Sequence, residues 1–162
     1  MHDLAFDLGA DIPACLNAHP HQVSGAGEKL APAPAMPKLY VSLINPGVQT
    51  PTGPIFKAFD AANPTPTQPK KPDLNRLSEV EGLQTILQQS SNNLEFHAII
   101  KCPIVGEVID FLASCRNALG ARMSGSGATC FALFEKRADA QTASQQAMQR
   151  GWWSATMGIA DT

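Results

Sequence analysis

The stretch Arg122-Met123-Ser124-Gly125-Ser126-Gly127-Ala128-Thr129 constrains the fold more than any other, because a helical repeat ends before it and an extended run begins after it. Ile104, Val105, Val108, Ile109, Leu112, Cys115 and Leu119 recur at helical spacing and predict one long amphipathic helix stopped by Gly120. Thr129 to Phe134 then reads as a strand. The glycines between permit positive φ and let backbone N–H groups approach a ligand, with the Ser124, Ser126 and Thr129 hydroxyls as further donors. Two readings stay open on these residues alone: a nest for phosphate oxygens, or a tight helix-to-strand connection that needs glycine for geometry.

Upstream, Lys38 to Ile44, closed by Asn45-Pro46-Gly47, predicts a buried strand. Thr52 is placed to cap a short helix through Phe56 and Phe59, and the proline-rich segment Asn63 to Asp73 predicts a mobile loop. Leu77, Val80, Leu83, Ile86 and Leu87 predict a helix, and Asn92-Asn93 offers a cap for another over Leu94 to Lys101. Ala138 to Arg150, ended by Gly151, predicts a further helix, and Trp152 to Met157 a last strand. At the start, His2 to Leu8 reads as a short helical piece with Leu4, Ala5 and Leu8 on one face, and Gln22 to Leu30 as a strand and turn. That first helix has no earlier element to pack on, so the chain reads as starting inside a domain. The stiff Ala31 to Pro37 connector divides it into residues 1–37 and 38–162. Strands and helices packed in two layers make the fold class α+β.

A chain of 162 residues suffices for one domain with a core, or for a domain plus part of another. A formal net charge of -2, with no basic block larger than Lys70-Lys71, argues against a nucleic-acid partner. Without a bilayer-length apolar run or a signal-peptide pattern, no membrane partner is expected and the cytoplasm is the default compartment. Cys15, Cys102, Cys115 and Cys130 lie far apart in apolar surroundings and are expected to be reduced and buried, so neither zinc nor a disulfide framework is implied. His19 and His21 read as part of a solvated loop, and no metal ligand set is expected.

Asp11 is the one carboxylate in the otherwise apolar run Leu8 to Cys15. It caps a turn between Gly9 and Pro13, or it serves as a partly buried general base that takes a proton from an alcohol. Phe56 likewise pins a helix to the core or offers a flat face to a nucleobase, a contact worth about 1 to 3 kcal/mol.

The order of these motifs carries a resemblance. Leu8-Gly9-Ala10-Asp11-Ile12-Pro13, Gly25 to Leu30, Leu43 to Val48 with Thr52 and Phe56, Asn92-Asn93-Leu94-Glu95 and Arg122 to Phe134 follow one another as in the 4-diphosphocytidyl-2-C-methyl-D-erythritol kinases of the GHMP superfamily. The resemblance implies a two-layer, ferredoxin-like C-terminal kinase domain at 38–162, preceded at 1–37 by a remnant of the N-terminal domain. It implies ATP and Mg²⁺ as cofactors and the cytidylyl sugar alcohol as substrate. It makes Asp11 the catalytic base and places Thr52 and Phe56 at the substrate pocket, the ring stacked on cytosine. It makes Ser124, Gly125, Ser126, Gly127 and Thr129 the phosphate-binding loop of the C-terminal domain.

The family's N-terminal lysine and G-L-G-G-G-S-S-type ATP loop have no counterpart in these 162 residues. The chain is therefore expected to be a C-terminal portion, inactive alone, with an uncovered face that favours self-association. Asn93 replaces the usual aspartate of an N-D-L-E pattern, exchanging a charge for a capping amide. Gly53 loosens the backbone beside Thr52. Another GHMP kinase, acting on mevalonate or homoserine, and a non-catalytic binding module are the alternatives.

Overall fold

The computed structural model describes residues 2–9, 11–16, 19–62 and 72–159. Among them, α1 (His2–Leu8) and α2 (Ile12–Cys15) pack on one another, and β1 (His21–Ser24) pairs with β2 (Lys29–Pro32) as an antiparallel hairpin. Its turn needs glycine at 25, where φ is +73° and a Cβ would meet the Glu28 carboxylate that accepts the Ala26 N–H at 2.6 Å. Its own backbone N–H and that of Ala26 hold the Glu28 carboxyl below its usual range. The connector expected to start at Ala31 is still strand through Pro32. Of the apolar residues expected on one face of α1, Ala5 is buried, while Leu4 and Leu8 are exposed.

The rest is built on a four-stranded antiparallel sheet ordered β4-β5-β3-β6: β3 (Tyr40–Asn45), β4 (Gly120–Met123), β5 (Cys130–Phe134) and β6 (Trp153–Gly158). Between them come α3 (Thr52–Ala62), a 3-10 turn (Leu74–Ser78), α4 (Val80–Gln89), α5 (Glu95–Lys101), α6 (Ile104–Ser114) and α7 (Arg137–Gln149). The β-α-β-β-α-β order with antiparallel pairing is the expected two-layer α+β fold. The loop expected at Asn63 to Asp73 falls, through Lys71, outside the described residues.

Alternation along each strand sends residues to two cores. Ile44, Cys130, Ala132 and Phe134 meet Val105, Val108 and Leu112 of α6 and Ala140, Ala143 and Ala147 of α7. On the other face Leu39 and Leu133 meet Leu77, Leu83 and Leu119. The polar residues under α7 are satisfied: Ser144 Oγ bonds Ser42 Oγ at 2.8 Å and Thr156 Oγ1 at 2.7 Å. At the end of α7, Gly151 at φ +80° closes the helix as expected, with Trp152 N–H returning to Ala147 O. Arg150 stacks 4.6 Å above the Phe111 ring.

Three expectations on this body are corrected. The helix expected to reach Leu119 ends at Ser114: Cys115 is extended and Asn117 adopts φ +61°, so Gly120 opens a strand instead of stopping a helix. Leu119 still joins a core, but the other one. The apolar series from Leu77 to Leu87 spans two elements, because Glu79 is extended between the 3-10 turn and α4. Gly82 permits that junction, since a Cβ there would lie 2.0 Å from Arg76 O.

Candidate functional site

The glycine-bearing loop is the tip of the β4–β5 hairpin, a correction to the expected helix-to-strand connection. Ser124 N–H donates to Thr129 O at 2.8 Å and Gly127 N–H to Ser124 O at 3.0 Å, closing a turn within a turn. Gly125 has φ +56° and is the first central residue of the inner turn, as a primed turn requires. Gly127, at φ +90°, is also pressed on: a Cβ would stand 2.9 Å from Met123 Sδ and 3.2 Å from Thr50 Cγ2. Among the described residues, no backbone acceptor takes the Gly125 or Ser126 N–H. The loop thus offers uncommitted N–H groups beside hydroxyls, a donor set suited to an anion.

Neighbouring elements tie the loop down at several points. Asn45, ending β3, donates through Nδ2 to Thr129 Oγ1 at 2.9 Å, while its Oδ1 accepts the Gly47 N–H at 2.8 Å. The Thr52 and Ser126 hydroxyls are bonded at 3.0 Å. Thr52 therefore spends its hydroxyl on the loop and does not cap α3, contrary to expectation. Phe56 follows four residues later on the same face of α3 and is 47% exposed. Buried Ile55 anchors the helix, so the Phe56 ring is left with an open face. Phe59 packs edge-on against His97 of α5, with centroids 6.1 Å apart.

On the opposite side, the Asn92 amide donates to Met123 O at 2.9 Å and Gly125 O at 2.7 Å, and its Oδ1 accepts the Leu94 N–H at 3.0 Å. Glu95 Oε2 accepts the Met123 N–H at 2.9 Å. The N-cap position of α5 is Leu94, without a side-chain cap, so neither asparagine caps the helix as expected: Asn92 holds the Leu94 N–H just before it, and exposed Asn93 accepts from Ser91 at 3.5 Å. Arg122 turns its guanidinium to the end of α4, donating to Leu87 O and Ser90 O at 2.7 Å each. Its charge is spent on those carbonyls, and an anion in the loop would meet dipoles and hydroxyls. The Arg122 Nε–H is buried with no partner among the described residues, a cost of about 1 to 3 kcal/mol set against its charge-assisted bonds.

Asp11 stands exposed at the start of α2 and its carboxylate makes no capping bond. It does not act as the turn cap that was one of its two expected roles. The structure brings Thr52, Ser126, Gly127 and Thr129 into one constellation, with Phe56 on the same helix face as Thr52. Among the described residues no hydrogen bond joins Asp11 to it.

Cysteine placement also departs from expectation. Cys15 is exposed, Cys102 and Cys115 half-buried and Cys130 buried, all as free thiols. Burial, aided by the Glu95 carboxylate, pushes the Cys130 thiol up to about 12. Cys115 is raised by burial and partly relieved by Arg150. Among the described residues no group of three histidine, cysteine or acidic side chains is placed to hold a metal ion, and no helix is long and apolar enough to cross a membrane.

Residues 71–152 match the family described as GHMP kinases C terminal. The chain belongs to the GHMP kinases, and the glycine hairpin β4–β5 with α4 to α7 lies within the residues that match their C-terminal domain. It is 41% identical over 156 residues to the 4-diphosphocytidyl-2-C-methyl-D-erythritol kinase of Hyphomonas neptunium, covering 94% of this chain and 52% of that protein. Identity to the enzyme of the same name from Paramagnetospirillum magneticum is 40% over 158 residues, covering 94% and 53%. A crystal structure of 4-(cytidine 5'-diphospho)-2C-methyl-D-erythritol kinase superposes with a TM-score of 0.74 at 27% identity, over 97% of this chain and 55% of that one. A homoserine kinase from Cytophaga hutchinsonii shares the fold, with a TM-score of 0.64 at 24% identity over 92% and 50%. The chain thus spans about half the length of the curated relatives it matches. The resemblance read from the ordered motifs holds.

Proposed function

We infer that this chain supplies the C-terminal wall of a site in which ATP phosphorylates the 2-hydroxyl of 4-diphosphocytidyl-2-C-methyl-D-erythritol in the cytoplasm. Residues 1–37 belong to the domain that carries the base, and 38–162 to the domain that carries the loop. The observation that carries the reading is the Thr52–Ser126 hydroxyl pair, which joins the helix bearing the open Phe56 ring to the anion-ready turn. A substrate whose cytidine is joined through a diphosphate to the sugar alcohol suits an aromatic face beside an anion-receiving turn. ATP, when bound, supplies the γ-phosphoryl group.

Phe56 receives the cytosine face and Thr52 borders the pocket. The Gly125 and Ser126 N–H groups, with the hydroxyls of Ser124, Ser126 and Thr129, receive phosphate oxygens as charge develops. Gly127 gives the loop the close turn that aims those donors. Asp11, its carboxylate free of any cap, orients the acceptor hydroxyl and takes its proton. Mg²⁺, held largely through the ATP phosphates, would neutralise charge on the γ-phosphoryl group.

These 162 residues contain no ATP loop of the G-L-G-G-G-S-S type, and the chain by itself is expected to show little or no turnover. Joining it to the N-terminal half of the Hyphomonas neptunium relative should give ATP-dependent phosphorylation of the cytidylyl sugar alcohol. Asp11→Asn in that hybrid should lower kcat about 10² to 10⁴-fold with KM little changed. Activity on homoserine or mevalonate in place of the cytidylyl compound would contradict the substrate assignment. Cytidylyl binding without transfer in the hybrid would contradict catalysis.

A further inference from the structure

We propose that Asn92 and Glu95 are positioning residues that hold the Ser124–Thr129 turn in its anion-receiving shape; the proposal rests on the phosphate reading above. Strand β4 pairs on one side with β5, so the outward N–H and C=O of Met123 would stand open at a sheet edge. The α4–α5 connection takes up both: Glu95 accepts the N–H and Asn92 donates to the C=O. The same Asn92 amide also holds Gly125 O at 2.7 Å, one residue inside the turn. With that carbonyl held, the Gly125–Ser126 peptide plane is fixed, and the Ser126 N–H that shares it keeps its aim away from Asn92. Arg122, bonded to Leu87 O and Ser90 O, fastens the start of the same connection to the same strand. The turn contains two glycines at positive φ and is intrinsically loose, so its order comes from these flanking bonds.

The two functions of Asn92 separate by substitution. Asn92→Asp keeps an oxygen for the Leu94 N–H but removes both donors and sets a carboxylate against two carbonyls. Glu95→Gln keeps the acceptor for Met123 N–H, whereas Glu95→Ala removes it. The test is amide hydrogen exchange on the labelled full chain, with a titration of inorganic pyrophosphate.

In Asn92→Asp and Glu95→Ala, exchange at the bonded amides of Met123, Ser124 and Gly127 should quicken about tenfold or more while β5 amides keep their rates. The pyrophosphate dissociation constant should rise about tenfold. Glu95→Gln should match the parent in both readouts. If Asn92→Asp does not fold, Asn92→Ser, too short to reach both carbonyls, takes its place. Unchanged loop exchange, or unchanged pyrophosphate affinity beside a loosened loop, would overturn the proposal. A parent chain that ignores pyrophosphate, with the loop loosened in Asn92→Asp and not in Glu95→Gln, would support the clamp and overturn the phosphate reading alone.

Discussion

Gly127 and Gly125 look equivalent in sequence, but their surroundings differ. Gly125 has open space where a Cβ would go, whereas Gly127 faces Met123 Sδ and the Thr50 methyl. Gly127→Ala should therefore cost about 1 to 3 kcal/mol in urea unfolding, and Gly125→Ala only about 1 kcal/mol. Cys130 makes a second residue-level test. Its folded pKa, raised to about 12 from the 9.0 of a free thiol, means the unfolded chain loses this proton first as pH rises. Its contribution is thus complete below pH 9 and shrinks between pH 9 and about 12. Cys130→Ala should flatten that alkaline slope relative to the parent, measured as stability against pH. At pH 8 a thiol reagent should label exposed Cys15 well before Cys130. Residue roles were legible where a residue type has one job, as for Gly127 and Gly151 at positive φ. Roles set by distant partners were not: the bonds by which Thr52, Asn92 and Glu95 hold the hairpin have no local signature. Their partners lie from 28 to 74 residues away in the chain, beyond the reach of local pattern.

Among the elements, β3, β5, β6, α5 and α7 stood out in sequence because each has a strong period and a recognisable stop. Strand β4 did not. Gly-Ala-Arg-Met is short, and Leu119 before it continues the period of α6 by coincidence, since it packs on the opposite face of the sheet. Missing β4 turned a hairpin into a helix-to-strand link, and with it hid the sheet edge that Asn92 and Glu95 occupy. The break before α4 was hidden similarly, because a 3-10 turn can continue an apolar series. Gly82 is the local signature of that break. Gly82→Ala, which would gain helix propensity on an isolated helix, should instead destabilise the chain by about 1 to 3 kcal/mol in thermal or urea unfolding. A neutral or stabilising outcome would mean that the 3-10 turn does not press on α4.

For the whole molecule, the α+β class and the C-terminal GHMP domain were readable from the order of motifs, and the family match over residues 71–152 bears that out. The geometry of the site was only half readable. Phe56, Thr52 and the hairpin turn come together through α3 and the sheet, while Asp11 lies on α2, whose closest packing is with α1. The account therefore places binding of the cytosine and phosphates in residues 38–162 and proton transfer in residues 1–37. Its most direct test is a titration of the isotope-labelled chain with cytidine diphosphate, followed at the amides of residues 124–129 and the Phe56 ring. The account predicts concerted shifts at the Gly125 and Ser126 amides and at the Phe56 ring, weaker with adenosine diphosphate. Shifts confined to other surfaces, or none in the turn at saturating ligand, would contradict it.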